Sequence, residues 1–223
     1  MRNILVNFTL ILTMMSCSNS PDMETGEIKS LQVLKQALEQ SNNSQIFIDA
    51  KTLLSRKQID SANTPVLFVK LRTGQNGTLT PYPGQGVGQT WLAADGATVT
   101  LDRGILKASR GMGDDLMGSS TTMPHWSKIA DEIKTYSRGL SYITGNNKIF
   151  NRVFNCKIKK ISKKEVIEIW QVNFEVTKFE ENCTYNDFKI KNSYYIDDQE
   201  IVRKSTQYLS ETVGYIVIER LDR

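Results

Sequence analysis

A single histidine, His125, limits the chemistry of this chain before any fold is considered. One imidazole excludes a histidine-clustered metal centre, and any Ser-His-Asp or Cys-His nucleophile would have to run through that one residue. His125 lies between Pro124 and Trp126, a setting that suits a packed or surface side chain better than a general base. Cysteine is also scarce, with three in 223 residues, and proline numbers five. Fourteen Gly with no Gly-X-Y period exclude a collagenous or low-complexity polymer. Neither sign of charge dominates. The 28 basic and 24 acidic residues leave +4, with a pI near 8.9, which makes no case for nucleic acid. Against these scarcities stand 39% apolar and 9% aromatic positions, enough for a well-buried core and far too many for a disordered chain.

Only one apolar run is long, and it sits at the start. Arg2 precedes an apolar stretch from Ile4 to Met15, too short for a stable mature transmembrane helix and fitting for the core of a secretory signal. Met14-Met15-Ser16-Cys17 is similar to the bacterial lipobox, with Met where Leu is commoner. The expectation is a signal peptide over residues 1–16 and a lipidated Cys17 as first mature residue, followed by a polar tether over 17–27. The alternative is an ordinary signal peptide with an incidental Cys. Ser18 stands where Asp would favour the inner membrane, so an outer-membrane anchor with the body facing the periplasm is expected. At about 0.8 kcal/mol per buried methylene, several acyl chains hold a protein at a membrane almost permanently. Removing Cys17 leaves Cys156 and Cys183. An even pair in an exported chain reads as a disulfide, two buried thiols being the alternative. A metal site there lacks clustered ligands, and no metal or cofactor is implied.

Residues 28–223 read as a single β-rich domain. The spacing of Leu31, Leu34, Ala37 and Leu38 predicts a leading helix over 28–40, and a short helical stretch is expected over 49–58. β-type runs follow over 65–71, 89–94, 97–101, 105–109, 136–143, 148–161, 165–178, 188–196, 201–209 and 215–221. The Pro/Gly-rich segment 80–89 reads as a loop, residues 110–127 as a loop with one helical turn, and 126–134 as a short helix. About nine short strands after one leading helix imply a mainly β fold, antiparallel sheets in a barrel- or sandwich-like arrangement.

The densest segment is Trp91 to Ala94 with Asp95-Gly96, followed by Gly104 to Leu116. Trp91 fits core volume, Gly96 and Gly104 fit turns that need positive φ, and Asp114 could cap a helical turn containing Leu116. Asp114 and Asp115 could also serve as acid and base, but adjacent carboxylates rarely face each other across a scissile bond. Gly84-Gln85-Gly86-Val87-Gly88 lacks the helix and Gly-Lys-Ser/Thr of a phosphate loop. Lys157, Lys159, Lys160, Lys163 and Lys164 read as the solvated end of a hairpin, able to touch anionic glycan or lipid headgroups.

Taken together, the lipobox, the Cys pair and this segment resemble the YjbF/GfcB family of outer-membrane lipoproteins, linked to group 4 capsule and exopolysaccharide production. The family pattern runs Trp, Asp-Gly, Gly, Thr-x-Gly-Leu and Asp-Leu. Trp91, Asp95-Gly96, Gly104, Gly111 and Asp115-Leu116 match it, with Arg110 and Asp114 inside the stretch. Ser109 stands where Thr is usual and Met112 where Leu is usual. The Tyr142–Gly145 step and the segment from Ser205 to Leu209 are also similar, and the likeness covers most of 60–223. The resemblance implies a β-rich barrel or prism. It also implies a non-enzymatic lipoprotein assisting polysaccharide assembly or export, partnered by polysaccharide through the Pro/Gly-rich loops or by an export-machinery protein. A periplasmic carbohydrate-active enzyme using Asp114 or Asp115, and an envelope structural protein, are the other expectations.

Overall fold

A computed structural model describes residues 49–84, 86–129, 132–143 and 148–223. The signal segment, Cys17, the tether and the leading helix over 28–40 lie outside the described residues. Two short helices come first, α1 (Ala50–Leu53) and α2 (Arg56–Asp60). Asp49 caps α1, and a reciprocal Ser55–Gln58 capping box starts α2. Twelve strands follow: β1 (Leu67–Leu71), β2 (Asn76–Tyr82), β3 (Gln89–Ala93), β4 (Thr98–Asp102), β5 (Ile105–Arg110), β6 (Leu116–Thr121), β7 (Lys134–Ile143), β8 (Ile149–Ile169), β9 (Val172–Tyr185), β10 (Phe188–Ile196), β11 (Val202–Ser210) and β12 (Gly214–Arg220).

All twelve join one antiparallel sheet, in the order β5-β4-β3-β2-β1-β12-β11-β10-β9-β8-β7-β6, which curls into a nearly closed barrel. The seam between edges β5 and β6 is bridged by side chains. Arg110 donates through Nη1 to the Leu116 carbonyl (3.1 Å) and through Nη2 to that of Met117 (3.3 Å). Ser119 Oγ donates to the Leu106 carbonyl at 2.8 Å. Period-2 alternation puts Phe154, Cys156 and Ile158 of β8 and Ile190, Asn192, Tyr194 and Ile196 of β10 inside the barrel. A smaller core lies outside the wall, where Ala50, Ile59, Val66, Phe68, Ile169 and Leu221 pack together and the rings of Phe68 and Trp170 stand 5.8 Å apart.

The β character and the short helices follow the sequence pattern, with four corrections. Residues 76–82 are strand although they run into the Pro-rich segment. Pro81 pairs only with Trp91 of β3, beyond the last β1 partner at Leu79, so its missing N–H is not needed. Residues 110–127 are not a loop with a helical turn, because 116–121 form β6 against β7. The expected helix over 126–134 is a single 3-10 turn, Trp126–Lys128. The run 165–178 is two strands, turned at Trp170 and Gln171 with φ 48° and 67°, so the lysines lie along a strand and not at a hairpin end.

The turns divide into two rims. The upper rim carries the β1–β2, β3–β4, β5–β6, β7–β8, β9–β10 and β11–β12 connections, and the lower rim carries the others. Gly104, in the β4–β5 turn of the lower rim, has φ +78°, and a Cβ there would stand 2.2 Å from Val202 Cγ2. Only glycine combines that backbone with that contact.

Candidate functional site

The barrel interior holds a polar network centred on Glu181 of β9, which is fully buried. Its carboxylate accepts from Tyr136 Oη, Arg138 Nη1 (2.8 Å), Asn192 Nδ2 (2.6 Å) and Tyr194 Oη (2.8 Å). Burial, reinforced by the Glu181 charge, pushes both phenols well above their ordinary range. Burial, the largest single influence, opposes the Arg138 charge, but the Glu181 carboxylate together with the Tyr194 and Tyr136 oxygens outweighs it, and the guanidinium is raised further. Gln207 of β11 accepts from the Leu106 amide (2.8 Å) and donates to the Gly104 carbonyl (2.8 Å), which ties β11 across to β5. Cys156 and Cys183 face each other across β8 and β9 as a disulfide. Their sulfurs and Glu181 lie within 4.8 Å of one another, but sulfurs bonded to each other are not a ligand set. Every donor here meets an acceptor already inside the fold, except Arg138 Nε and Nη2. The network braces the barrel and has no group presented outward.

The upper rim is different. Arg152 of β8 sits in the barrel mouth, its guanidinium 4.9 Å from the Phe150 ring and 5.0 Å from the Phe188 ring. It pairs with Glu211, which is half exposed on the β11–β12 turn. An aromatic chain packs beneath the same mouth, with Phe154 and Tyr208 buried and Tyr185, Phe188 and Tyr215 half-buried. The Phe154 ring stands 5.8 Å from Tyr185 and 6.1 Å from Phe188, Phe188 stands 5.7 Å from Tyr208, and Tyr208 stands 5.7 Å from Tyr215. Tyr142 Oη reaches across to the Leu209 carbonyl at 2.8 Å. Burial, with Glu211 second, pushes Tyr208 up to about 12. Asp114 accepts from Thr212 Oγ1 at 3.3 Å, which brings the β5–β6 loop against the β11–β12 turn. Two buried polar atoms of this cluster, Arg152 Nε and Tyr208 Oη, lack a partner. Aromatic faces beside a guanidinium and two carboxylates suit a ring with one apolar face and several hydroxyls, as in a sugar.

Most of the sequence-singled residues gather near this mouth. Asp95 Oδ1 accepts from the Ala97 amide (3.0 Å) in the β3–β4 turn. Asp115 Oδ1 accepts from Ser109 Oγ (2.7 Å) and the Met112 amide (3.2 Å), and its Oδ2 accepts from the Gly111 amide (2.7 Å). Asp115 therefore builds the turn, whereas Asp114 caps no helical turn, because Leu116 opens β6. Leu116 is wholly buried, and Trp91 is buried in the main core. Gly104 lies at the opposite rim. So does the Pro/Gly-rich loop with its exposed Val87, and His125 is exposed at the start of the 3-10 turn below β6. Sequence reasoning missed Arg152, Phe188 and Glu211, each a lone residue in its own segment until the barrel closes.

Among the described residues no helix is long and apolar enough to cross a membrane. No curated protein matches the chain. Among solved structures, the hypothetical lipoprotein YmcC from Escherichia coli K12 is similar, with a TM-score of 0.66 at 17% identity over 91% of this chain and 98% of that one. At that identity the likeness is one of fold. A family model described as group 4 capsule polysaccharide lipoprotein, GfcB/YjbF, matches residues 32–221. That span contains all twelve strands, both rims and every motif residue from Trp91 to Leu116, and the chain accordingly belongs to the YjbF/GfcB family of capsule polysaccharide lipoproteins.

Proposed function

We propose that this protein is an accessory lipoprotein that supports capsule or exopolysaccharide assembly or export by binding glycan at the upper-rim mouth. It is anchored through lipid on Cys17 at the outer membrane, with the barrel in the periplasm. The observation that carries the binding step is the aromatic mouth around Arg152, with Arg152 Nε and Tyr208 Oη left unpartnered. Family membership supports the polysaccharide context. A non-enzymatic role is favoured over a carbohydrate-active enzyme because Asp115 is committed to three hydrogen bonds within its own turn. That leaves Asp114 without the second carboxylate which the adjacent-pair reading needs.

The test is surface polysaccharide in a deletion strain complemented with wild type, Cys17→Ala, Arg152→Gln or Phe188→Ala. Wild type should restore it. Cys17→Ala should leave the membrane fraction and fail to restore it. Arg152→Gln should stay membrane-bound, keep the wild-type melting temperature within a few degrees and still restore poorly. Phe188→Ala, which removes packing on Phe154 and Tyr208, should melt lower yet remain folded and membrane-bound and restore poorly. Full restoration by folded rim variants would refute the mouth as the working surface.

A further inference from the structure

The outer wall beside the mouth carries a second feature. β8, β9 and β10 lie side by side there, and their register aligns three outward rows: Asn155, Thr184 and Lys189; Lys157, Asn182 and Lys191; Lys159, Glu180 and Ser193. None of these nine positions is apolar, four are lysines, and Glu180 is the only acid. Seven are exposed and two, Glu180 and Ser193, half-buried. Glu180 is already engaged. Lys191 Nζ stands 2.8 Å from its Oε2, and that bond, with Lys159 further off, holds the carboxyl below its ordinary value. A chain of 28 basic and 24 acidic residues thus concentrates a net +3 on a patch about 10 Å across, two strand spacings wide. The sequence run drew attention to Lys157 and Lys159, but Lys189 and Lys191 join them only through strand pairing.

From these rows we infer that the lysine wall binds the acidic stretch of a polysaccharide whose adjoining residues occupy the mouth. Continuity favours that occupant. Phe188 turns into the mouth beside Arg152, and the next residue, Lys189, turns out onto the wall, so one polymer crossing the β9–β10 rim meets both. The amides and hydroxyls of Asn155, Asn182, Thr184 and Ser193 between the ammonium groups suit sugar hydroxyls, and the nine positions offer a bilayer no apolar side chain to insert. The inference rests on the glycan reading of the mouth.

Isothermal titration of the full chain in mild detergent, with oligogalacturonates and with neutral malto-oligosaccharides of matched length, tests it. Wild type should bind both, the acidic series more tightly, with the difference shrinking as salt rises. Lys157→Gln/Lys159→Gln/Lys189→Gln/Lys191→Gln should weaken the acidic series about tenfold or more, since exposed ion pairs contribute a factor of about 1.5 to 5 each, and should leave the neutral series unchanged. Arg152→Gln should weaken both. Equal binding of the two series, untouched by the lysine changes, would overturn the wall and leave the mouth standing. No binding of either series would overturn both. Lysine-dependent capture on phosphatidylglycerol vesicles without a preference for the acidic oligomers would make the wall a membrane contact and also overturn the inference.

Discussion

Replacing Glu181 with Gln removes one negative charge from the centre of the barrel and little volume. Glu181 is 0% and Arg138 3% exposed, so the guanidinium left behind has neither water nor a counter-charge. Breaking a buried pair from one side costs about 3–5 kcal/mol. The amide also turns one acceptor oxygen into a donor facing a site that Tyr136, Asn192 and Tyr194 already fill with donors, which adds to the loss. With a urea slope of about 2–3 kcal/mol per molar, the unfolding midpoint should fall by about 1–2.5 M. Tryptophan fluorescence is a suitable signal, because the Trp126 ring stands 5.1 Å from that of Tyr194. Arg138→Met added to Glu181→Gln should recover part of the loss, since a buried pair replaced from both sides by groups of similar shape is often near neutral. A Glu181→Gln protein within about 1 kcal/mol of wild type, or a double variant that loses the sum of the two single changes, would refute the account of the interior as a charge-satisfied brace.

Gly104→Ala should destabilise by about 2 kcal/mol or more, from the left-handed backbone and the Val202 contact together, and a thermal melt unchanged within two degrees would contradict that geometry. Asp115→Ala, which strips three hydrogen bonds from one turn, should cost about 2–3 kcal/mol in urea unfolding. Asp114→Ala, with one contact at 3.3 Å, should cost under about 1 kcal/mol, and the reverse order would mean the roles are misassigned. Tyr136, Tyr142, Tyr194 and Tyr208 should keep their protons in tyrosinate absorbance as pH rises through 10 and release them with unfolding. Tyr208 stands at about 12 against an ordinary 10.0, so the unfolded chain loses that proton first, and stability complete below pH 10 is lost between about 10 and 12. Early ionisation of all eight tyrosines in the folded protein would count against it.

What the sequence made legible was the period. Alternation in 188–196 matches β10 to the residue, and the pairs around Asp95-Gly96 and Gly104 turn where turn chemistry puts them. Illegibility had local causes. Trp170-Gln171 reverses the chain with two residues that are not turn formers, and their left-handed backbone is held by Trp170 packing beside Phe68. Met117-Gly118-Ser119-Ser120-Thr121 carries no apolar alternation, because β6 is a seam edge paired only to β7. The mouth was hidden more deeply. Arg152, Phe188 and Glu211 come from three separate segments, and no spacing rule links them before the strands are ordered. Nor can adjacent carboxylates be told apart by sequence when one is taken up by its own turn.

The motif and the mouth have different physical roles. Ser109 and Arg110 end β5, Gly111 and Asp115 lie in the β5–β6 connection and Leu116 opens β6; Asp115 folds the turn and Arg110 stitches the seam to the Leu116 and Met117 carbonyls. A twelve-stranded sheet that closes without a final ladder leaves two rows of unpaired backbone groups, and a fork-shaped guanidinium is the side chain suited to bridge such rows. The pattern by which the chain resembles its family is therefore in large part the fastening of the barrel. Chemistry that distinguishes one polymer from another has to sit on surfaces the fastening leaves free. In the proposed reading those are the rim around Arg152 and the wall running down from Lys189, presented together by one barrel. Under that proposal a flexible polymer would gain from the fixed spacing, because its second segment would be held near the wall once its first was held at the mouth, and weak contacts at each place would combine into useful affinity.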